Sequence, residues 1–173
     1  MEYDYLKISG NVAIVTGGGR GIGRGIAIAL ARFGVKVIIC DIQDDWGEKV
    51  AEEIRKASGI AQYCHCDVAD TAQDRALVET TVQTFGTIDI LVNNAGIGSV
   101  PIQFQDITDE EWDRMLQVDL TAPFYLCREV IPYMRAKKHG KIINISSGSG
   151  IIGDEFCAHY ATAKAGVIGF TQS

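Results

Sequence analysis

Tyr160 and Lys164 lie four positions apart in a helical pattern that begins near Phe156, so their side chains share one helix face. An ammonium group beside a phenol stabilises the phenolate, which makes Tyr160 a candidate general acid/base and Lys164 its activator. Ser147 lies 13 positions before Tyr160, at the end of a predicted strand, where its hydroxyl can hydrogen-bond a substrate oxygen. These three residues predict proton transfer at an oxygen of the substrate.

The tyrosine-lysine spacing alone is weak evidence, because Tyr3 with Lys7 and Tyr133 with Lys137 repeat it. Position 13 before Tyr133 is Leu120, and Tyr3 precedes the first predicted strand. Only Tyr160 follows a serine at a strand end, so the combination singles out Tyr160.

A second candidate site is the glycine-rich stretch Thr16 to Gly23, which includes Gly17, Gly21 and Gly23. It lies between an apolar run at 12–15 and a helical pattern at 26–30. Glycine lets the backbone approach a phosphate closely, and the N-terminus of the following helix attracts an anion. The stretch predicts nucleotide binding, although an ordinary glycine-rich turn is an equal alternative on these residues alone.

Acidic and amide residues follow the later strands. Asp41 ends the second strand, 18 residues after Gly23, where a carboxylate can accept both ribose hydroxyls and repel a 2′-phosphate. Arg20 favours the opposite choice, because a guanidinium pairs with that phosphate. We give Asp41 more weight, since its charge lies at the ribose, and predict NAD rather than NADP. Asp67 ends the third strand and either meets the adenine amino group or caps the next helix.

The pattern of apolar runs predicts how these residues are positioned. Strands at 12–15, 35–40, 61–66, 88–92 and 141–146 alternate with helices, among them a long one from the Thr108 capping box to about Lys137, with kinks at Pro123 and Pro132. Strands apolar on both faces indicate a parallel sheet covered on both sides. We predict an α/β, three-layer αβα, doubly wound (Rossmann) sheet of order 3-2-1-4-5, with its binding crevice at the carboxyl ends of strands 1 and 4.

The motifs together resemble the short-chain dehydrogenase/reductase family over nearly the whole chain. The resemblance rests on the Thr-Gly-x3-Gly-x-Gly turn, Asn93-Asn94-Ala95-Gly96, Ser147 and Tyr160-x3-Lys164 in this order. It implies hydride transfer between a nicotinamide and a secondary alcohol or ketone, with Tyr160 as acid/base, Lys164 also holding the nicotinamide ribose, and Ser147 positioning the substrate oxygen. The cofactor-binding residues it implies are Gly17, Arg20, Gly21, Ile22, Gly23, Asp41, Asp67, Val68, Asn93, Ala95, Gly96, Tyr160 and Lys164.

Asp119 departs from the family pattern, which has an asparagine here that holds a proton-relaying water near the lysine. An aspartate can still hold that water, and as an anion it would also stabilise protonated Lys164. We count Asp119 among the catalytic candidates, with a tolerated, neutral replacement as an equal alternative.

The resemblance also bears on the extent of the chain. The helical pattern from Tyr160 still continues at Ser173, without a stop signal. We therefore expect residues 1–173 to be a single dinucleotide-binding domain whose C-terminal part is missing, truncated after the fifth strand and part of the next helix. In full-length form the family implies a homo-oligomer, a tetramer or dimer.

Composition excludes several other classes. The net charge of -6 argues against nucleic acid or an anionic membrane surface as a partner. The five cysteines are scattered, Cys64-His65-Cys66 offers too few ligands for a metal, and residues 1–9 contain no apolar signal segment. We expect a cytoplasmic protein with reduced thiols, no metal and no membrane span.

Three functions remain open on the sequence. The leading one is an NAD(H)-dependent oxidoreductase, similar to polyol or sugar dehydrogenases or, using NADPH, to 3-oxoacyl-carrier-protein reductases. A non-catalytic nucleotide-binding protein is the second, and a methyltransferase, which would leave Ser147, Tyr160 and Lys164 without a role, is the third.

Overall fold

Strands and helices alternate along the chain in the computed structural model, which describes residues 6–98 and 100–173. Tyr3 of the Tyr3-Lys7 pair and residues 1–5 of the polar N-terminal segment lie outside the described residues. The elements are β1 (Val12–Thr16), α1 (Gly21–Arg32), β2 (Lys36–Asp41), α2 (Asp44–Lys56), β3 (Ala61–His65), α3 (Thr71–Phe85), β4 (Ile90–Asn93), a 3-10 turn (Phe104–Asp106), α4 (Asp109–Leu116), a π-helical turn (Gln117–Thr121), α5 (Ala122–Ala136), β5 (Lys141–Asn144), α6 (Ser149–Ile152) and α7 (Ala158–Gln172).

The sheet has the order β3-β2-β1-β4-β5, which confirms the predicted topology. All neighbouring pairs are parallel, so the carboxyl ends of the strands lie at one edge. At the centre, Val15 of β1 lies opposite Ile39 of β2 and Val92 of β4, and β1 is buried along its whole length. The first β-α turn therefore lies at the point where the strand order reverses, which is where doubly wound sheets bind ligands.

The expectation that every strand is apolar on both faces is wrong for the two outer strands. β3 is mostly half-buried, and Ile143 in β5 is 41 % exposed. Within the described sheet, each of these strands has a hydrogen-bonded neighbour on one side only. The packing helices therefore cover these strands less completely than they cover β1 and β4.

Helices pack on both faces of the sheet and bury two apolar clusters. Ala27 and Ala31 of α1 and Val50 of α2 pack on the face that carries Val15. On the other face, Leu77 of α3 and Leu126 of α5 pack with Ile14, Ile38 and Leu91. Because alternate residues of each strand point to opposite faces, both layers of helices contact the same strands. The result is the predicted three-layer αβα arrangement.

The predicted long helix is helical throughout but is interrupted by the π-helical turn. Thr108 forms the expected capping box with Glu111. The Ala122 N–H donates to the Gln117 carbonyl, five positions back, and Pro123 follows immediately. Since proline has no N–H to donate, the regular hydrogen-bond ladder is broken at this point. The irregular turn contains Asp119, so it belongs to the candidate site described below.

In the described part of the chain, no helix combines the length and the apolar content needed to cross a bilayer.

Candidate active site

The turn after β1 has the backbone conformation that the glycines predicted. Gly17 and Gly21 have φ values of +60° and +54°, in the left-handed region that favours glycine. A Cβ on Gly23 would lie 2.2 Å from the carbonyl oxygen of Gly17, so no larger residue fits there. Arg20 precedes α1 without a side-chain cap, and the first turn of α1 has no acidic residue. The N–H groups of this turn are therefore left for an anion from outside the helix.

Two side chains fasten this turn to the loop after β4. The hydroxyl of Thr16 accepts hydrogen bonds from the backbone N–H groups of Asn94 and Ala95, each at 3.0 Å. The Asn94 amide nitrogen donates to the carbonyl oxygens of Thr16 at 2.9 Å and Gly17 at 3.2 Å. These hydrogen bonds join the carboxyl ends of β1 and β4 into one wall.

A cleft of about 400 Å³ opens at this wall. Nine of the predicted cofactor-binding residues line it: Gly17, Arg20, Gly21, Ile22, Asp41, Asp67, Val68, Ala95 and Gly96. Gly23 is absent from the lining because it packs beneath the turn, against Gly17. The cleft runs from the end of β2, across the glycine turn, to the loop after β4.

Asn93, one of the predicted cofactor-binding residues, is not among the residues that line the cleft. Its side chain is 4 % exposed, and its amide nitrogen donates to Asn144 Oδ1 at 2.8 Å and to Cys127 Sγ at 3.4 Å. The Asn93 Oδ1 atom is buried without a hydrogen-bond partner among the described residues. Burial raises the pKa of the Cys127 thiol to about 11, against the opposing effect of the Asn93 amide. Asn94, the next residue, lines the cleft instead.

Asp41 forms the acidic end of the cleft. Its Oδ2 accepts from the Gly19 N–H at 2.9 Å, its Oδ1 accepts from the Gln43 N–H at 3.0 Å, and the residue is 8 % exposed. Arg20 also lines the cleft, with its guanidinium 4.8 Å from the ring centroid of Trp46. The carboxylate is therefore fixed by the backbone, whereas the guanidinium rests on an exposed aromatic ring.

Asp67 lies further along the cleft, after β3. Its Oδ1 accepts from the Ala69 N–H at 3.0 Å, and its Oδ2 lies 3.6 Å from an Arg114 nitrogen. Arg114 comes from α4 and was not anticipated from the sequence, but it lines the same cleft. The neighbouring Val68 is 6 % exposed and joins the cleft to the core beneath it.

A buried carboxyl group lies close to this part of the cleft. Asp74 in α3 is fully buried, and its Oδ1 accepts from the Cys66 thiol at 3.7 Å. Burial raises the pKa of Asp74 to about 7, a shift that the Cys66 hydrogen bond opposes. Cys66 itself lines the cleft. The charge of Asp74 therefore changes near neutral pH. Its hydrogen-bond partner Cys66 connects this carboxyl group to the cleft.

Lys164 and Asp119 form a buried ion pair, with Lys164 Nζ 2.9 Å from Asp119 Oδ2. Their side chains are 7 % and 1 % exposed. Asp119 Oδ2 has no hydrogen bond from the ammonium in spite of this short distance, so the contact is an ion pair without hydrogen-bond geometry. Lys164 Nζ also donates to the Ile145 carbonyl at 3.2 Å, and Asp119 Oδ1 accepts from the Ile97 N–H at 2.8 Å. Asp119 thereby connects α7 to the loop after β4.

Gly96 connects this ion pair to the cleft. It lines the cleft, and a Cβ at Gly96 would lie 2.8 Å from Asp119 Oδ2 and 3.4 Å from Lys164 Nζ. Only glycine therefore leaves both side chains undisturbed. The Asp119–Lys164 pair therefore packs directly against Gly96, at one end of the cleft.

The two remaining catalytic candidates are Tyr160 and Ser147. The ring centroid of Tyr160 is 5.7 Å from Lys164 Nζ, on the same helix, and Tyr160 is half-buried. Ser147 follows β5 and is half-buried, and its hydroxyl hydrogen-bonds Ser149 at 3.2 Å. Neither residue lines the cleft, and Tyr160 is connected to its Gly96 end through Lys164. The Tyr160 phenol can transfer a proton to or from an oxygen placed beside it.

Sequence reasoning missed several parts of the site. Trp46, Ile97 and Arg114 line the cleft, although they come from a helix surface, a loop and a second helix without a recognisable motif. Thr16 and Asn94 were part of quoted motifs, yet neither was assigned a role. The role of Thr16 could have been found from its position as the last residue of a buried strand, because a buried hydroxyl requires a hydrogen-bond partner.

The cleft has the features that a dinucleotide requires. The glycine turn and the uncapped start of α1 suit a pyrophosphate, and the fixed carboxylate of Asp41 suits ribose hydroxyls. For a metal, by contrast, residues 6–98 and 100–173 contain no group of three or more histidine, cysteine or acidic side chains placed to bind one. His65 instead pairs with Asp44 at 2.7 Å.

Curated relatives are similar in sequence along almost the entire chain. A 3-alpha-(or 20-beta)-hydroxysteroid dehydrogenase of Mycobacterium tuberculosis is 41 % identical over 167 residues, which are 96 % of this chain and 63 % of the relative. A 3-oxoacyl-[acyl-carrier-protein] reductase of Thermotoga maritima is 35 % identical over 97 % of this chain and 68 % of the relative. The chain spans about two thirds of the length of these relatives.

Solved structures have the same fold. A metagenomic short-chain oxidoreductase in complex with NADP matches with a TM-score of 0.92 and 36 % identity, over 95 % of this chain and 75 % of that one. An NAD+-bound xylitol dehydrogenase matches with a TM-score of 0.93 and 31 % identity, over 96 % of this chain and 64 % of that one.

The family model described as short chain dehydrogenase matches residues 11–173, a range that contains every strand and every candidate site residue described above. The chain therefore belongs to the short-chain dehydrogenase family, as the combined motifs predicted.

Proposed function

We propose that this protein is an oxidoreductase that transfers a hydride between NAD(H) and a secondary alcohol or ketone, with Tyr160 as the general acid/base. One observation carries the proposal. Gly96 lines the cleft, and a Cβ on it would lie 3.4 Å from the buried Lys164 ammonium. The cleft and the proton-transfer group therefore meet at a single residue.

A nicotinamide held at the Gly96 end of the cleft would supply or accept the hydride. Tyr160 donates a proton to the substrate oxygen during reduction and accepts it during oxidation. Lys164 stabilises the phenolate form of Tyr160 by its charge and also holds the nicotinamide ribose. Ser147 holds the substrate oxygen by a hydrogen bond.

Asp119 acts through Lys164 and is therefore a positioning residue in this proposal. Its carboxylate holds the ammonium at 2.9 Å, and the Ile97 N–H holds the carboxylate at 2.8 Å. An asparagine here would provide hydrogen bonds without the negative charge. The presence of Asp119 indicates that this chain keeps its lysine in place by charge as well as by geometry.

NAD is the proposed cofactor, in preference to NADP. Asp41 supports this choice because its carboxylate is fixed by two backbone N–H groups where the ribose would lie. Arg20 lies in the same cleft, but its guanidinium stacks on Trp46. A 2′-phosphate would have to draw Arg20 off the ring and approach the Asp41 carboxylate.

A spectrophotometric assay of hydride transfer tests the proposal, with NADH and NADPH each paired with a panel of ketones, and NAD+ and NADP+ with the corresponding alcohols. Tyr160→Phe removes only the hydroxyl, so we expect a loss of at least a hundredfold in kcat, the usual scale of a lost general acid/base, with nucleotide binding retained.

Tyr133→Phe is the matched control, because Tyr133 repeats the tyrosine-lysine spacing but lies on α5, away from the cleft lining. The proposal is wrong if both variants keep wild-type rates, or if the wild-type chain binds nucleotide without turnover on any carbonyl or alcohol tested.

Other properties of the whole protein stay predictions. We propose a cytoplasmic homo-oligomer, a dimer or tetramer in full-length form, that acts on a small-molecule alcohol or ketone, and we propose that residues 1–173 form one dinucleotide-binding domain. Sedimentation velocity measures the oligomeric state, and limited proteolysis followed by mass spectrometry tests the single domain.

A further inference from the structure

Three side chains after β5 form a continuous chain of hydrogen bonds. The Ser147 and Ser149 hydroxyl oxygens are 3.2 Å apart, and the Ser149 hydroxyl lies 3.0 Å from Asp154 Oδ2. The Ser149 N–H donates to the Ser147 oxygen at 3.2 Å. This series of hydrogen bonds starts at Ser147, the residue proposed to hold the substrate oxygen, and ends at the Asp154 carboxylate.

The direction of each hydrogen bond follows from what the groups can donate. A carboxylate oxygen only accepts, so Ser149 donates its single proton to Asp154. The Ser149 oxygen is then an acceptor, and the Ser147 hydroxyl donates its single proton to it. What Ser147 retains for a substrate is a lone pair on its oxygen.

The two forms of the substrate differ in their need for the Ser147 proton. A ketone oxygen has no proton, so it binds Ser147 only when the serine donates. An alcohol hydroxyl either donates or accepts, so it also binds a serine whose proton is engaged elsewhere. A carboxylate that draws the Ser147 proton away therefore disfavours the ketone more than the alcohol.

We propose that Asp154, acting through Ser149, is a positioning residue that makes Ser147 a hydrogen-bond acceptor and so favours binding of the alcohol over the ketone. The inference rests on the proposed role of Ser147 in substrate binding. Asp154 follows Gly153 (φ +79°) at the end of α6, and its carbonyl accepts from the Cys157 N–H at 3.2 Å, so its backbone is fixed by the turn. Asp154 is exposed, so its side chain can be changed without disturbing the core.

Asp154→Asn is the decisive variant, because its amide N–H can donate to the Ser149 oxygen. The direction of the hydrogen bonds between Asp154, Ser149 and Ser147 is then reversed. Ser149 then donates to Ser147, and the Ser147 proton is released for the substrate. We expect the KM of the ketone to fall about three- to tenfold, the range that one redirected hydrogen bond supplies, while the KM of the alcohol changes less than about twofold. Ser149→Ala removes the acceptor itself and should shift the KM ratio in the same direction.

Two further variants separate this effect from a change in charge or loop structure. Glu155→Gln removes the same charge from the next position, where the side chain is exposed and outside the hydrogen-bond chain. Asp154→Glu keeps the carboxylate. Both should keep a KM ratio near that of the wild type, whereas a merely structural role of Asp154 would weaken both substrates alike.

The experiment uses the full chain with NAD(H) and one alcohol-ketone pair, measured in both directions, with dissociation constants from calorimetry in parallel. The inference is overturned if Asp154→Asn leaves the ratio of alcohol KM to ketone KM unchanged, or shifts it no more than Glu155→Gln does. A wild-type chain that neither turns over nor binds either substrate refutes the proposed function and, with it, this inference. Turnover with an unchanged ratio refutes the inference alone.

Discussion

The buried ion pair between Asp119 and Lys164 gives the sharpest prediction about stability. Asp119→Ala leaves the Lys164 ammonium, 6 % exposed, with the Ile145 carbonyl at 3.2 Å as its remaining polar contact in the described structure. Removing one partner of a buried pair costs about 3–5 kcal/mol. The Ile97 N–H also loses its acceptor, at a further cost of about 1 kcal/mol. We expect the free energy of unfolding to fall by about 4–6 kcal/mol.

Asp119→Asn separates the charge from the hydrogen bond. The side-chain volume is unchanged, but the carboxylate uses one oxygen for the Ile97 N–H and the other for the ammonium, so the single amide oxygen keeps only one of these contacts. An amide oxygen turned to Lys164 keeps an acceptor for the ammonium and loses the Ile97 contact, so we expect about half of the alanine cost, about 2–3 kcal/mol. The difference in free energy of unfolding between the two variants measures the cost of leaving the buried ammonium without a side-chain acceptor at position 119.

Urea unfolding at equilibrium, followed by circular dichroism at neutral pH, measures these changes, provided that the m-value is constant. Asp113→Ala is the matched control: it removes an exposed carboxylate from α4, near the π-helical turn, and should cost at most about 0.5 kcal/mol. If Asp119→Ala costs no more than Asp113→Ala, the ion pair does not hold the site together. Asp119→Asn with an unchanged rate and pH profile of hydride transfer would leave Asp119 without a role in catalysis.

Three other substitutions test separate parts of the site. Gly96→Ala places a methyl group against the ion pair and should lower kcat/KM about tenfold or more, whereas Gly98→Ala, where a Cβ meets nothing within 4 Å, should leave it unchanged; equal effects would contradict the contact. Asp41→Asn should raise the affinity for NADPH relative to NADH by about tenfold, measured by fluorescence titration; an unchanged ratio would show that Asp41 does not select the cofactor. Asp74→Asn tests the raised pKa of about 7: the folded state holds that proton more tightly than the unfolded chain, so wild-type stability falls as pH rises from about 4 to 7. The variant lacks this loss, so its stability relative to wild type should be greater at pH 8 than at pH 5 by about 2–3 kcal/mol, and an equal difference at both pH values would refute the assignment.

Local features of the sequence predicted most of the fold. The apolar runs predicted the strands to within a few residues, and the Thr108 capping box was found where it was expected. Each of these features depends on residues close together in the chain, since caps, turns and strand periodicity act over a few positions. The handedness of parallel crossovers then left one simple strand order, which is the order observed.

The π-helical turn shows where local reasoning stopped. Pro123 predicted an irregularity in the long helix, and one is present. The sequence did not show that the irregularity would be a wide turn at 117–121 that contains Asp119. That outcome depends on what the turn packs against, which includes α7 and the loop after β4.

By itself, the sequence determined the family, the glycine turn, and the candidate set of Ser147, Tyr160 and Lys164, because these depend on residue type and spacing. Only the tertiary structure decided that Asn94 rather than Asn93 lines the cleft, since successive residues at a strand end point to opposite sides of the sheet. It also decided that Asp119 pairs with Lys164, and that Gly96 brings that pair to the cleft. These contacts join residues far apart in the chain, and their geometry exists only once the sheet has brought its carboxyl ends together.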